Sequence, residues 1–258
     1  MQMKQLLRRS ADWVDLQWSA LERSLKAVAP KAHGRLLDVG CGDKPYEAWF
    51  RPFVSSYVGV EHAGTFSATA AAGMRGRPDV VYGGGTLPFR DGSFDTVLSV
   101  QVLEHTPRPA ALMAEMSRVL APHGTLILTA PFQFRLHEQP HDYFRYSPHG
   151  LRQLCADVGL EVVETVAQGS LWSVIGHKLN SYLALRVARV GALAQSMGKL
   201  GHEAPTGQGV RWWTLPVVGP SVVSIAAGAR LLDRWLADPE ESLGYLVIAR
   251  HVGARPAT

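Results

Sequence analysis

The segment Leu36-Leu37-Asp38-Val39-Gly40-Cys41-Gly42-Asp43-Lys44-Pro45-Tyr46 constrains the fold more than any other part of the chain. An apolar run ends in two close-set glycines and opens into a stretch able to start a helix, the pattern of a buried strand turning at a ligand crevice. Only a residue without a Cβ tolerates the backbone angles and the close ligand approach of such a turn, which accounts for Gly40 and Gly42. A second apolar run, Ser56-Tyr57-Val58-Gly59-Val60, leads to Glu61. That carboxylate lies about twenty residues past the glycines, where it can accept bonds from two ribose hydroxyls. The pattern predicts a nucleoside ligand, while G-x-G alone is equally compatible with a plain structural turn.

The chemistry of the turn narrows the ligand. A dinucleotide site carries a third glycine where a diphosphate meets the helix N-terminus. Pro45 stands there instead. Proline has no N–H to donate, and Asp43 repels a diphosphate, so the turn suits a cofactor with a ribose and no phosphates. S-adenosylmethionine meets that description.

Beyond the turn, the pattern predicts strands near 35–39, 56–60, 79–82, 94–100, 124–130 and 160–166, with helical segments between most of them. Such alternation implies an α/β fold: a doubly wound, mostly parallel sheet with its ligand crevice at the strand carboxyl ends. With 258 residues, 47% of them apolar and 19% charged, the chain can bury one elaborated domain. Its expected parts are an N-terminal helical segment (1–30), a cofactor-binding core (31–167), a helical insertion or cap (168–241), and a final strand and tail (242–258). The two cysteines, Cys41 and Cys155, make neither a disulfide framework nor a thiolate metal site, so a reducing cytoplasm is the expected location. No secretion signal is expected, because the N-terminal pattern lacks an apolar signal core.

Three further runs extend the pattern: Leu87 to Val100, then Val102-Leu103-Glu104-His105, then Glu115 to Leu128. With the glycine turn they fill residues 36–130 in order, and together they resemble the methyltransferase domain of S-adenosylmethionine-dependent enzymes with a Rossmann-like sheet. Gly40 to Phe50 and His137 to Leu151 resemble a subgroup acting on glycans or secondary metabolites. The resemblance implies a seventh, antiparallel strand at Ser242 to Val252, beside the sixth. It also implies that Asp38, Gly40, Cys41 and Gly42 hold the methionine and ribose portions, that Glu61 grips the ribose, and that Leu87 and Gln101 line the cofactor. At Gly83 the chain departs from the family's common aspartate, leaving the adenine to backbone groups or to Leu87 and Phe89.

Methyl transfer from a sulfonium is an in-line displacement, and a hydroxyl acceptor must also lose a proton. His105, at the end of the fourth strand, is a candidate base, because an imidazole titrates near neutrality. A structural histidine at a strand end is the alternative. Glu104 and His105 match part of an E-x-x-E-H metal pattern, but Gln101 replaces its first glutamate, which weakens a hard-cation site, and no metal is expected. His137-Glu138-Gln139-Pro140-His141 spells HExxH. That motif needs a continuous helix, which Pro140 breaks. His137, Glu138, His141, Asp142, Tyr143, Arg145 and Tyr146 read better as a polar loop over a substrate, with His137 and His141 as further proton acceptors. An alternative is a polar network that only holds the loop. The expected reaction is O-methylation of a small polar metabolite or sugar. N-methylation, intramolecular alkyl transfer, a non-catalytic cofactor-binding subunit and a nicotinamide oxidoreductase stay open.

The segment 168–241 is helical and apolar, with periodicity over Leu171 to Leu200 and Ser221 to Leu236, and holds four of the seven tryptophans. Trp212 to Ala229 carries no charge and is flanked by Arg211 and Arg230. Pro216, Gly219 and Pro220 are expected to interrupt it. A substrate cap or dimer surface, peripheral membrane contact and a true span are its alternatives. Nucleic-acid binding is not expected, since the basic residues are sparse and form no stripe with exposed aromatics.

Overall fold

The structure is a computed structural model and describes residues 12–65, 77–190 and 209–252. The chain divides into two compact units: a sheet unit of residues 24–131, 143–166 and 245–258, and a helical unit of residues 1–23, 132–142 and 167–244.

The sheet unit is built on β1 (Arg35–Val39), β2 (Ser56–His62), β3 (Val80–Tyr82), β4 (Phe94–Val100), β5 (Leu120–Pro131), β6 (Leu160–Gln168) and β7 (Gly244–His251). These form one seven-stranded sheet in the order β3-β2-β1-β4-β5-β7-β6. The last strand is antiparallel and lies beside the sixth, as the resemblance implied. Leu36, Leu37, Val97, Leu98, Leu126, Ile127 and Leu128 are fully buried, because strands covered on both faces need continuous apolar runs rather than alternation. The sequence order reverses between β1 and β4, which pair in parallel with Asp38 opposite Leu98 and Val39 opposite Ser99. The crevice of a doubly wound sheet lies at such a reversal, beyond the strand carboxyl ends. Gly40 follows β1 there, and Gln101 follows β4. Two helices of this unit are α1 (Leu16–Val28), shared at its N-terminal half with the helical unit, and α2 (Glu47–Phe50). Two more are α3 (Pro109–Val119) and α4 (Pro148–Ala156). α4 starts where the Ser147 hydroxyl accepts the Gly150 N–H at 3.1 Å and Pro148 takes the first helical position. β5 begins four residues earlier than the periodicity predicts. The register slips between the Phe94–Leu120 and Thr96–Thr125 pairs, so the stretch around Pro122 and Gly124 is absorbed as an irregularity.

In the helical unit, α5 (Leu171–Tyr182) packs on α6 (Leu215–Trp235) around Leu16, Val174, Ala226, Ala229 and Leu243, with Trp172 against them. Gly176 permits this approach: a Cβ there would stand 2.7 Å from Leu16 Cδ1 and 2.9 Å from the Ala229 Cβ. The expected helix over Leu171 to Leu200 ends in a π-turn at Leu183–Val187, and residues 191–200 lie outside the described residues, as do residues 3–11 of the N-terminal helical segment.

The expectation that prolines break the apolar segment is corrected. α6 runs unbroken through Pro220, after a turn of 3-10 helix at Trp212–Thr214. Pro216 sits in the first turn, where its missing N–H has no intrahelical acceptor to lose. Pro220 therefore removes a single bond from a helix held along its inner face. The Asn180 side chain donates to the Val222 carbonyl at 3.1 Å, and Arg230 donates to the Trp13 carbonyl while stacking on the Trp13 ring.

Asp233 on α6 caps α5. Its carboxylate accepts the Ser173 N–H at 3.2 Å and the hydroxyls of Ser170 and Ser173. It thus serves donors at a helix N-terminus that lacks its own side-chain cap. Asp233→Leu is expected to cost about 1–3 kcal/mol by leaving those donors unmet, seen as a lower Tm in thermal unfolding, with Asp233→Asn losing less.

Candidate functional site

The turn after β1 is held by its own backbone. The N–H groups of Gly40 and Cys41 both donate to the Val60 carbonyl, at 2.9 and 3.2 Å. Gly40 and Gly42 take φ of +73° and +51°, the region that only glycine enters without strain. A Cβ on Gly40 would lie 2.5 Å from Val102 Cγ2, whereas one on Gly42 would meet open space. The steric demand at Gly40 thus comes from β4's own continuation. α2, which follows the turn, is only four residues long, too short to present a helix dipole to a phosphate.

Two carboxylates flank this turn. Glu61 Oε2 accepts the Gly42 N–H and Oε1 accepts the His62 N–H, each at 2.8 Å, so the acid is buried and fixed against the turn. Asp38 is buried more deeply, at 1% exposure. Its Oδ2 accepts the Tyr57 hydroxyl at 2.6 Å, and its Oδ1 has no hydrogen-bond partner among the described residues. Burial raises the Asp38 carboxyl from 3.8 to about 7, against the lowering effect of the Tyr57 bond and with a smaller contribution from Glu61. A buried acceptor without a donor is costly unless a ligand supplies one. The residues at this turn therefore fit a cofactor bearing an ammonium or hydroxyl donors and a ribose. Cys41 is buried too, and burial and the Asp38 charge push its thiol up, so it stays protonated. Lys44 ties the turn to Asp79 at 3.0 Å, and Asp79 accepts the Gly59 N–H at 2.7 Å.

Leu87 is buried and fastened by a pair that sequence reasoning did not single out. Glu115 accepts the Leu87 N–H at 2.7 Å, while Arg118 donates to the carbonyls of Leu87 and Phe89 and to Glu115. The Arg118 bonds hold the Glu115 carboxyl below its ordinary range. Both residues lie in the Glu115 to Leu128 run, where an (i, i+3) acid–arginine pair was the available signal. Gly83 stands exposed after β3.

At the end of β4, Gln101 takes a left-handed φ of +56°. Its amide donates to Thr129 Oγ1 and its backbone N–H to the Thr129 carbonyl, both at 3.1 Å. A non-glycine residue held there is a local strain that the surrounding bonds must support. It redirects the chain into a short 3-10 turn, Leu103–His105. Glu104 is fully buried in that turn, with Oε1 3.8 Å from His105 Nε2. The Tyr143–Tyr146 segment braces it: the Tyr143 N–H donates to the Glu104 carbonyl at 2.8 Å, and the buried Tyr146 hydroxyl donates to the Leu103 carbonyl at 3.3 Å. Arg145 donates to the Phe144 carbonyl.

His137, Glu138, His141 and Asp142 belong to the helical unit, whereas the residues above belong to the sheet unit. No helix runs through 137–141, so the HExxH spelling lacks the geometry it needs. The chain turns instead, with the His141 N–H donating to the Glu138 carbonyl at 3.0 Å. Asp142, its side chain 1% exposed, accepts the His137 N–H at 2.9 Å, and its Oδ2 lies 3.2 Å from His137 Nδ1. A buried carboxylate thus fixes the imidazole, which also meets Phe134 edge-on at 4.9 Å. Phe134 contacts His177 as well, whose imidazole burial pushes down. Neither residue carried a sequence signal.

Because the folded Asp38 retains a proton that the unfolded chain gives up near pH 4, its contribution to stability is complete below pH 4 and is lost as pH rises through about 7. Without cofactor, wild type should lose Tm relative to Asp38→Asn between pH 5 and 8, by about 4 °C or more in thermal unfolding scans.

Comparison with known proteins finds matches to part of this chain. Residues 37–128 match the methyltransferase domain family. An uncharacterized methyltransferase of Mycobacterium tuberculosis is 38% identical over 102 residues, 39% of this chain and 40% of the relative. One of Mycobacterium marinum is 41% identical over 108 residues, 41% of this chain and 42% of the relative. The chain thus spans about two-fifths of the length of the curated relatives it matches. Among solved structures, a chain of the complex between the Haloferax volcanii Trm112 methyltransferase activator and a methyltransferase superposes with a TM-score of 0.54 at 18% identity, covering 97% of this chain and 94% of that one. A Mesorhizobium loti S-adenosylmethionine-dependent methyltransferase superposes at 0.50 and 16% identity, covering 92% and 98%. Residues 37–128 thus match the methyltransferase domain, and they are carried on a Rossmann-like seven-stranded sheet similar to that of S-adenosylmethionine-dependent methyltransferases.

Proposed function

We propose that the protein methylates an oxygen of a small, hydroxylated metabolite such as a sugar or a secondary-metabolite intermediate, using S-adenosylmethionine. The observation that carries this reading is the buried Asp38 Oδ1, which has no hydrogen-bond partner among the described residues, beside the glycine turn. When bound, S-adenosylmethionine supplies a methyl group activated on a sulfonium.

In this reading Asp38 accepts from the cofactor's ammonium group, Glu61 accepts from the ribose hydroxyls, and Leu87 packs on the adenine. His105, at the rim of β4 with the buried Glu104 carboxylate beside it, takes the acceptor's proton. With the cofactor bound, His105 would take the hydroxyl proton of the acceptor oxygen as that oxygen gains the methyl group and the carbon–sulfur electron pair stays with sulfur. Oxygen is favoured over nitrogen because a hydroxyl gains most from a base in the transition state. Two imidazoles, His105 and His137, each stand beside a buried carboxylate. His137 and His141 remain as alternative bases.

Two outcomes test the reading. Calorimetric affinity for S-adenosylmethionine should rise by up to about tenfold per pH unit below pH 7 and level above it, because the ammonium selects the ionised Asp38; Asp38→Asn should flatten the profile. With labelled cofactor and a panel of hydroxylated metabolites, His105→Gln should leave S-adenosylhomocysteine affinity unchanged and lower kcat about 100-fold or more. Full kcat in His105→Gln with a loss in His137→Gln would move the base to His137. Transfer to amines alone would overturn the oxygen assignment.

A further inference from the structure

α6 is amphipathic with its faces inverted. A helix of a soluble unit buries its apolar stripe and offers charges to solvent. Here the outward stripe recurs at helical spacing through Trp213, Val217, Pro220, Val223, Leu231 and Trp235, all exposed. Trp213 and Trp235 are each 78% exposed, and Val217 is 71% exposed. Within Trp212–Trp235 an 18-residue window has a mean hydropathy of 1.6 with only 17% of its residues buried, and by length and composition the helix could cross a membrane.

The inner face argues against crossing. Asn180 of α5 bonds its Val222 carbonyl as well as that of Val14, and the face carries Arg230 bonded to the Trp13 and Ala226 carbonyls and Asp233 bonded to Ser170 and Ser173. Taking those groups into hydrocarbon would be costly. A helix lying in the headgroup plane keeps them away from lipid and buries only the outward stripe. The charges choose the surface. Arg211 precedes the stripe and the exposed Arg234 ends it, while exposed Lys178 and Arg186 lie on α5 and its continuation. α5 adds the exposed apolar residues Ile175, Leu179 and Tyr182. Asp233, the acid within α6, faces inward, and Asp238, Glu240 and Glu241 come after the helix. A second copy is disfavoured by the same charges. Antiparallel pairing of two α6 helices sets Arg211 against Arg234, and parallel pairing sets each arginine against its own copy. Anionic headgroups neutralise them, and tryptophan rings suit the boundary between headgroup and acyl chain.

We propose that the outer face of α6 docks the protein in plane on a membrane surface bearing anionic lipid. This rests on the helical unit and is independent of the acceptor and of the base.

The test is co-sedimentation of the full chain with vesicles of phosphatidylcholine alone or mixed equally with phosphatidylglycerol. Binding to the mixed vesicles, weakened at high salt and on phosphatidylcholine alone, is expected. Val217→Glu and Leu231→Glu, both at exposed positions, should each lower partitioning about tenfold or more without changing Tm or S-adenosylhomocysteine affinity. Absence of sedimentation with the mixed vesicles would overturn the proposal. So would retention after alkaline carbonate extraction, which marks a true span. A dimer in analytical ultracentrifugation that the same two substitutions abolish, without vesicle binding, would assign the face to a second copy instead.

Discussion

The crossing of β1 into its turn depends on a buried acid held against two neighbours. Tyr57 on β2 donates to Asp38 Oδ2, and Glu61 at the end of β2 takes the Gly42 N–H. Strand β2 therefore fixes both ends of the turn that β1 makes. Parallel pairing in register, Asp38 opposite Gly59 and Val39 opposite Val60, brings those groups within reach. Because the turn's own N–H groups go to the Val60 carbonyl, the backbone is satisfied before any ligand arrives. What stays unmatched is one carboxylate oxygen, and burial sets its proton affinity near neutrality. The site is thus organised in advance, with the cost concentrated at a single group that a cation can relieve.

Elements that rest on periodicity were legible in the chain. β1, β2 and β4 fall where the apolar runs put them, since a strand buried on both faces leaves a continuous signature. The glycine turn was legible because a positive φ demands glycine at a fixed place, and the spacing put Glu61 beside it, where it accepts the Gly42 N–H. The final strand came from resemblance alone, as no local pattern specifies that β7 inserts between β5 and β6. Tyr57, Glu115, Arg118 and Asp233 were not legible. Each acts through a partner brought near by tertiary packing, and a tyrosine in an apolar run reads only as core. The continuity of α6 was misjudged for a related reason. Proline carries a local penalty, but the bonds of Asn180 and Arg230 along the inner face outweigh the one hydrogen bond it removes.

The polar segment after β5 divides between two kinds of work. Tyr143 and Tyr146 are used in large part to brace the Leu103–His105 turn. Asp142 is engaged by His137 through both ring and backbone. Density of donors and acceptors in a sequence therefore overstates how many face a substrate, because a loop without regular secondary structure must satisfy its own backbone first. Histidines beside buried carboxylates are what that loop leaves over, and a carboxylate that fixes the ring orients it for proton transfer.

Inversion of α6 follows from the same logic of satisfaction. Its inner face carries the polar bonds that fix it to α5 and to Trp13 and Ser19, so its specificity of packing lies in hydrogen bonds as much as in the small core of Leu16, Val174, Ala226 and Ala229. With small residues at those core positions, the large apolar side chains fall on the opposite side, where water meets them. Such an arrangement carries a standing hydrophobic cost for each exposed tryptophan and leucine. Burial against a lipid interface removes that cost without disturbing a single inner-face bond, whereas folding the stripe inward would break the caps and carbonyl bonds that define the helix pair.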